Sequence, residues 1–296
     1  MFQRAKYVEP RKLLWQDIPN PAATIKYDGG HYYLSVQSDG SLKYYSRRES
    51  VKGGFPERSA QIPHLSNVKL PQYAGHVYSV ELIHTGKDKN NKESHPAVSG
   101  ILNSLLPRSI ETQLNTGPVR AVLLDVINPP LPTYKEKIAH LKEVEKAFGK
   151  PALMFVPEIA TTKPEIIKLI ERTKAEGREG IIVTSLTKPE SINPRIKIKH
   201  FDTYNLRVVR IIQEEDTHGN LKPSMGAMDC VDSSGRVVCT VGTGFSKELR
   251  EEIWRNQFKW IGKLIQVKTM GLGSVGGKLR APVFNGESDG ILDLVQ

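Results

Sequence analysis

From residue 200 onward the chain is written in short β-forming runs, RVVRIIQ, MDCVDS, RVVCTVG and KLIQVKTM, parted by polar turns such as DTHGN and DSSG. One helical stretch, Ser246 to Phe258, interrupts them. Five or so such short strands around a single helix fit a small Greek-key β-barrel of the OB type. The preceding two-thirds has a different texture. Apolar strand candidates at 77–83 (VYSVELI), 119–127 (VRAVLLDVI) and 180–185 (GIIVTS) alternate with helical segments. KEKIAHLKEVEKAF, 135–148, carries Ile138, Leu141, Val144 and Phe148 on one face and stops at Gly149. A second helix is predicted from Pro164 to Glu176, with Thr162 and Glu165 at capping-box spacing and Gly177 as its stop. The expectation is an α+β chain in two domains: residues 1–200, with antiparallel sheets and helices, and residues 201–296, the barrel. The boundary falls near His200–Tyr204, without a long linker.

At 296 residues and 39% apolar content the chain can fill two cores. Its 42 basic against 32 acidic residues give a net charge of +10, the balance of a surface that meets a polyanion. Cys230 and Cys239 form no CxxC pair, which argues against a zinc site or a disulfide framework and for buried, reduced thiols in a cytoplasmic protein. The stretch MFQRAKYVEPRKLLWQD is charged throughout, so no signal peptide is expected. No apolar run approaches membrane-spanning length, and a monomer without membrane contact is expected.

The chemistry concentrates around TIKYDGGHYY, residues 24–33. Lys26 ends an alternating apolar run and is followed by an acid and two glycines, where the backbone must turn sharply or approach something closely. Residues 31–37 and 42–48 read as a hairpin about Asp39-Gly40. A two-residue loop would set His31 opposite Arg48 and Tyr32 opposite Arg47, returning both arginines beside the segment after Lys26. Adjacent arginines next to a lysine call for an anion, and phosphate is the natural one. Glu81 ends VYSV, Glu179 stands in GREGIIV, and Lys197 and Lys199 in RIKIKH share one strand face while Ile196 and Ile198 take the other. Singly, each is an ordinary surface charge. Together they supply a nucleophile, two carboxylates for a hard cation and four cations for a triphosphate.

KYDG (26–29), SRRES (46–50), VEL (80–82), EGIIV (179–183) and KIK (197–199) resemble, in order and approximate spacing, the covalent nucleotidyltransferases, which comprise DNA ligases, RNA ligases and mRNA-capping enzymes. VGTGFSKELREEIW, IGKLIQVKTMG and LRAPVF resemble the OB domain of small ATP-dependent DNA ligases of the bacteriophage type. The resemblance implies a nucleotidyltransferase (adenylation) domain followed by an OB domain, acting on nicked duplex DNA with ATP and Mg²⁺ (or Mn²⁺). It implies that Lys26 attacks the α-phosphate to form lysyl-AMP, that AMP passes to the 5′-phosphate of the nick, and that the 3′-hydroxyl then expels it. Glu179 becomes the metal-side carboxylate, Glu81 a ligand of ribose or cation, and Lys197 and Lys199 phosphate partners. Arg47 meets the sugar or the nick end, Thr24, Ile25 and Leu124 line the base pocket, and Arg48, Lys278 and Arg280 meet DNA. For Lys278 and Arg280, taken as neighbours on one strand face, a role in orienting pyrophosphate is the alternative.

The pattern also departs from that family. Thr24 stands where an acid reads the adenine amino group, His31 where an arginine follows KxDG, and Leu124 where an aromatic stacks on the base. A capping-type guanylyltransferase or RNA ligase shares the lysine chemistry. A non-catalytic nucleic-acid-binding protein would share the fold without it.

Overall fold

Strand periodicity sets the layering. The computed structural model describes residues 15–51, 53–85, 93–272 and 277–295, so residues 1–14 of the charged N-terminal stretch lie outside it. The chain divides into two units, Met1–Lys199 and His200–Gln296. In the first, β1 (Pro21–Lys26), β2 (Gly30–Val36), β3 (Leu42–Ser46), β4 (Val77–Ile83), β5 (Arg120–Asn128), β6 (Met154–Phe155), β7 (Ile159–Ala160), β8 (Gly180–Ser185) and β9 (Arg195–Lys199) form two sheets. Their orders are β7-β1-β8-β9 and β3-β2-β4-β5-β6. Every pairing is antiparallel except β5 with β6.

On β1, β8 and β9, Ala23, Ile25, Ile181, Val183 and Ile196 alternate onto one face, against Ile166 and Leu169 of the helix Lys163–Ala175. On the other sheet Leu34, Val36, Leu42, Tyr44, Val80 and Leu123 do the same, joined by Leu141, Val144 and Phe148 of the helix Tyr134–Phe148. Both helices begin with a capping box, Thr133 with Glu136 and Thr162 with Glu165. Each sheet thus keeps one face for a core and one for polar side chains.

The β2–β3 hairpin corrects the expected register by one residue. Tyr32 opposes Ser46, Leu34 opposes Tyr44 and Val36 opposes Leu42. The loop has three residues, Ser38 to Gly40: Gly40 donates its N–H to Gln37 at 2.9 Å, and Gln37 donates to Ser41 at 2.8 Å. Gly40 takes φ +80°, and Asp39 Oδ1 accepts from Ser41 N at 3.0 Å. The partner facing His31 is therefore Arg47, not Arg48: Arg47 N donates to His31 O at 3.4 Å. The two-residue loop would have aligned Val36 with Lys43 and Tyr32 with Arg47, turning both cations toward the core.

The second unit holds β10 (Asp202–Glu215), β11 (Leu221–Val231), β12 (Val237–Val241), β13 (Leu264–Thr269) and β14 (Val283–Glu287), ordered β12-β11-β10-β13-β14. Its core joins Leu206, Val208, Met228, Val241, Ile253, Trp260 and Ile265. Cys230 and Cys239 are buried free thiols opposite each other on β11 and β12, not joined by a disulfide. The expected barrel is not closed among the described residues. Just past β12, Phe284 N of β14 donates to Thr243 O at 2.9 Å and Thr243 Oγ1 donates to Pro282 O at 3.1 Å. Gly244 follows at φ +94°, where a Cβ would stand 2.4 Å from Phe284 O, so a glycine is needed for this close approach.

Candidate functional site

Lys26 is the last residue of β1, and strand register gives it its neighbours. Gly180 pairs with Lys26 on one side and with Lys199 on the other; one step back, Ile182 pairs with Thr24 and Lys197. These residues occupy the face opposite the Ile25–Ile181–Ile196 core. Gly180 is required here: at φ +143° its Cβ would lie 2.0 Å from Ile198 O. Immediately before it, the almost fully buried Glu179 carboxylate pairs with Lys26 through Oε2 and with Lys199 through Oε1, the latter at 3.1 Å. Burial and the charges of Lys26 and Lys199 lower the Lys197 ammonium below the usual lysine range.

The other sheet supplies the second carboxylate. Glu81, on β4 opposite His31, accepts the Gly29 N–H at 3.2 Å. A Cβ on Gly29 would meet Leu82 O at 2.3 Å, so the glycine of KYDG serves close approach to β4. Burial pushes Glu81 up to about 7, against the opposing pull of Lys26. Beside it, His31 Nε2 lies 2.8 Å from Ser79 Oγ and Nδ1 lies 3.3 Å from Arg47 Nη1. Burial, then the Arg47 charge, lowers His31 to about 4.

The polar faces of both sheets enclose a cavity of about 700 Å³, within the size range of small-molecule sites. Thr24, Lys26, Glu81, Leu124, Arg47 and Lys197 border it, as does Arg48. Ile25 also borders it, although its side chain belongs to the core. At one wall stands a closed ion-pair ring. Asp125 binds Arg195 at 2.6 Å and Lys137 at 2.8 Å, and Glu190 binds the same two cations at 2.8 and 3.2 Å.

Among the described residues no three His, Cys, Asp or Glu side chains cluster as an all-protein metal site.

No family model and no curated protein matches this chain. Solved structures do. A structure of Lig E DNA ligases, described as binding DNA with a minimal scaffold, covers 97% of this chain and 98% of its own at 17% identity and a TM-score of 0.64. Two structures named Pmar-Lig cover 90% and 93% of this chain at 17% identity, with TM-scores of 0.66 and 0.67. This chain spans 63% and 64% of their length. The chain has the DNA ligase nucleotidyltransferase fold.

Within that fold, Lys26, Glu179 and Lys199 form one contiguous group, with Lys197 and Thr24 on the same sheet face and Glu81, Arg47 and Leu124 contributed by the facing sheet. Lys278 and Arg280 belong to the second unit, and the expected shared strand face is not there: both lie between β13 and β14. They flank Leu279, which makes an isolated bridge to Leu272, and the Arg280 backbone is tied to Met270 and Gly271. Sequence reasoning missed the Asp125–Lys137–Arg195–Glu190 ring and Ser79. Asp125 did leave a signal, as the one charge inside the apolar run AVLLDVI.

Proposed function

We propose that the chain is an ATP-dependent DNA ligase that seals nicks in duplex DNA through a lysyl-AMP intermediate. The observation that carries this reading is Lys26 held against Glu179, with Lys199 on the same carboxylate, at the wall of a nucleotide-sized cavity. An amine must shed its proton before it attacks phosphorus; in this reading Lys26 gives its proton to solvent while Glu179 orients the amine. The new P–N bond forms as the bond to pyrophosphate breaks. Lys197, Lys199 and Arg47 take up the phosphate charge. Glu179 and Glu81 would hold Mg²⁺, which offsets negative charge on the phosphates. In this reading the second unit is an OB-type module in partly open form, and Arg48, Lys278 and Arg280 meet the DNA backbone.

Incubation with radiolabelled ATP or GTP and Mg²⁺ tests the first step. Label from ATP that survives alkali and is released by acid, as a phosphoramidate requires, is expected; label from GTP alone would make the protein a guanylyltransferase, and none from either would leave a binding protein. For the polynucleotide, affinity for nicked duplex should fall steeply with salt, with a slope of about −0.9 per phosphate neutralised. Binding that holds constant from low to physiological salt would contradict a backbone-contact mode.

A further inference from the structure

At residue 31, where the ligase-like pattern leads one to expect arginine, the chain carries an imidazole between two defined partners. One is the Ser79 hydroxyl at 2.8 Å from Nε2, the other the Arg47 guanidinium at 3.3 Å from Nδ1. A guanidinium has donors only. Nδ1 must therefore accept, the ring must be neutral, and its proton must sit on Nε2, donated to Ser79 Oγ. Three restraints hold the ring in this pose. Ser79 is buried on β4, the His31 backbone is paired in the sheet, and Tyr33 leans on the imidazole with ring centroids 5.7 Å apart.

We propose that His31 is a positioning residue: fixed as the Nε2–H tautomer by Ser79, it presents Nδ1 as an acceptor that aims the Arg47 guanidinium into the cavity, toward the phosphates or sugar of a bound nucleotide. The inference rests on the nucleotide reading above and adds to it a relay, Ser79 to His31 to Arg47. A neutral histidine brings no charge of its own to the site. Its contribution is the direction of its neighbour's charge.

Long-range ¹H–¹⁵N correlation of the imidazoles in the full chain at pH 7 tests the relay directly, with His31→Phe identifying the ring. The expected spectrum is that of a neutral Nε2–H tautomer, moving toward an averaged pattern in Arg47→Ala and in Ser79→Ala. A cationic ring, or the Nδ1–H tautomer, would overturn the proposal. Self-adenylation kinetics supply the second reading. His31→Phe should raise the KM for ATP roughly tenfold, the scale of one hydrogen bond to a charged group. His31→Asn, whose carbonyl oxygen can stand near the Nδ1 position, should recover most of that loss. On an Arg47→Ala background His31→Phe should add nothing; a further loss there would mean that His31 touches the nucleotide itself and would also overturn the relay. A wild-type chain that takes no label would overturn the nucleotide reading instead, and the ring spectra would still decide the tautomer and its dependence on Arg47.

Discussion

Replacing Lys26 with arginine should abolish covalent labelling by ATP, a fall on the order of a millionfold if the lysine is the nucleophile. The expectation follows from charge chemistry rather than size. A guanidinium keeps its proton throughout the physiological range, so Lys26→Arg preserves a cation against Glu179 while removing any amine able to attack phosphorus. The variant should therefore keep its thermal midpoint and its non-covalent affinity for the nucleotide. Phosphoramidate chemistry can be read by mass spectrometry of the intact chain, where wild type should gain one adenylyl group and the variant none. An adenylylated arginine variant would remove Lys26 from the mechanism. A variant that fails to fold would be recognised by its melting curve.

The second large effect concerns stability. Asp125 and Lys137 are each about 5% exposed at the side chain and lie 2.8 Å apart, with Arg195 on the other carboxylate oxygen at 2.6 Å. Asp125→Ala leaves two cations with only the partly exposed Glu190 to share. Breaking a buried pair from one side typically costs about 3–5 kcal/mol, because the remaining charge cannot recover its hydration. Urea unfolding followed by tryptophan fluorescence should show a loss of that order, and a loss below about 1 kcal/mol would mean that water reaches the ring. Asp125→Leu combined with Lys137→Met should recover part of it, since an apolar pair of similar volume needs no counter-charge.

Much of the site was legible because strands impose a period of two. Lys197 and Lys199 share a face and Ile196 and Ile198 lie opposite, as RIKIKH implies, and the glycine of KYDG marks a close approach. The hairpin was misread where a turn signal was ranked above the apolar pattern. Pairing Val36 with Leu42 and Leu34 with Tyr44 keeps apolar opposite apolar, and that pattern requires the three-residue loop. The ion-pair ring was not legible. Asp125, Lys137, Glu190 and Arg195 come from a strand, a helix, a short turn and another strand, and no local spacing announces that topology will join them. Barrel closure was not legible either: strand number can be counted from sequence, but which edges pair depends on contacts far apart in the chain, and no closing ladder is present among the described residues.

The pairing of Lys26 with Glu179 spans 153 positions. During synthesis Lys26 therefore precedes Glu179 by most of the first unit, and β1 is made before its sheet partners β7 and β8. β1 finds β7 and β8 only after the intervening sheet has been synthesised. Pairings of such long range close late and slowly. A nascent or prematurely ended chain thus carries Lys26 without Glu179 to pair with it, and the ion pair forms only once the segment leading into β8 has been made.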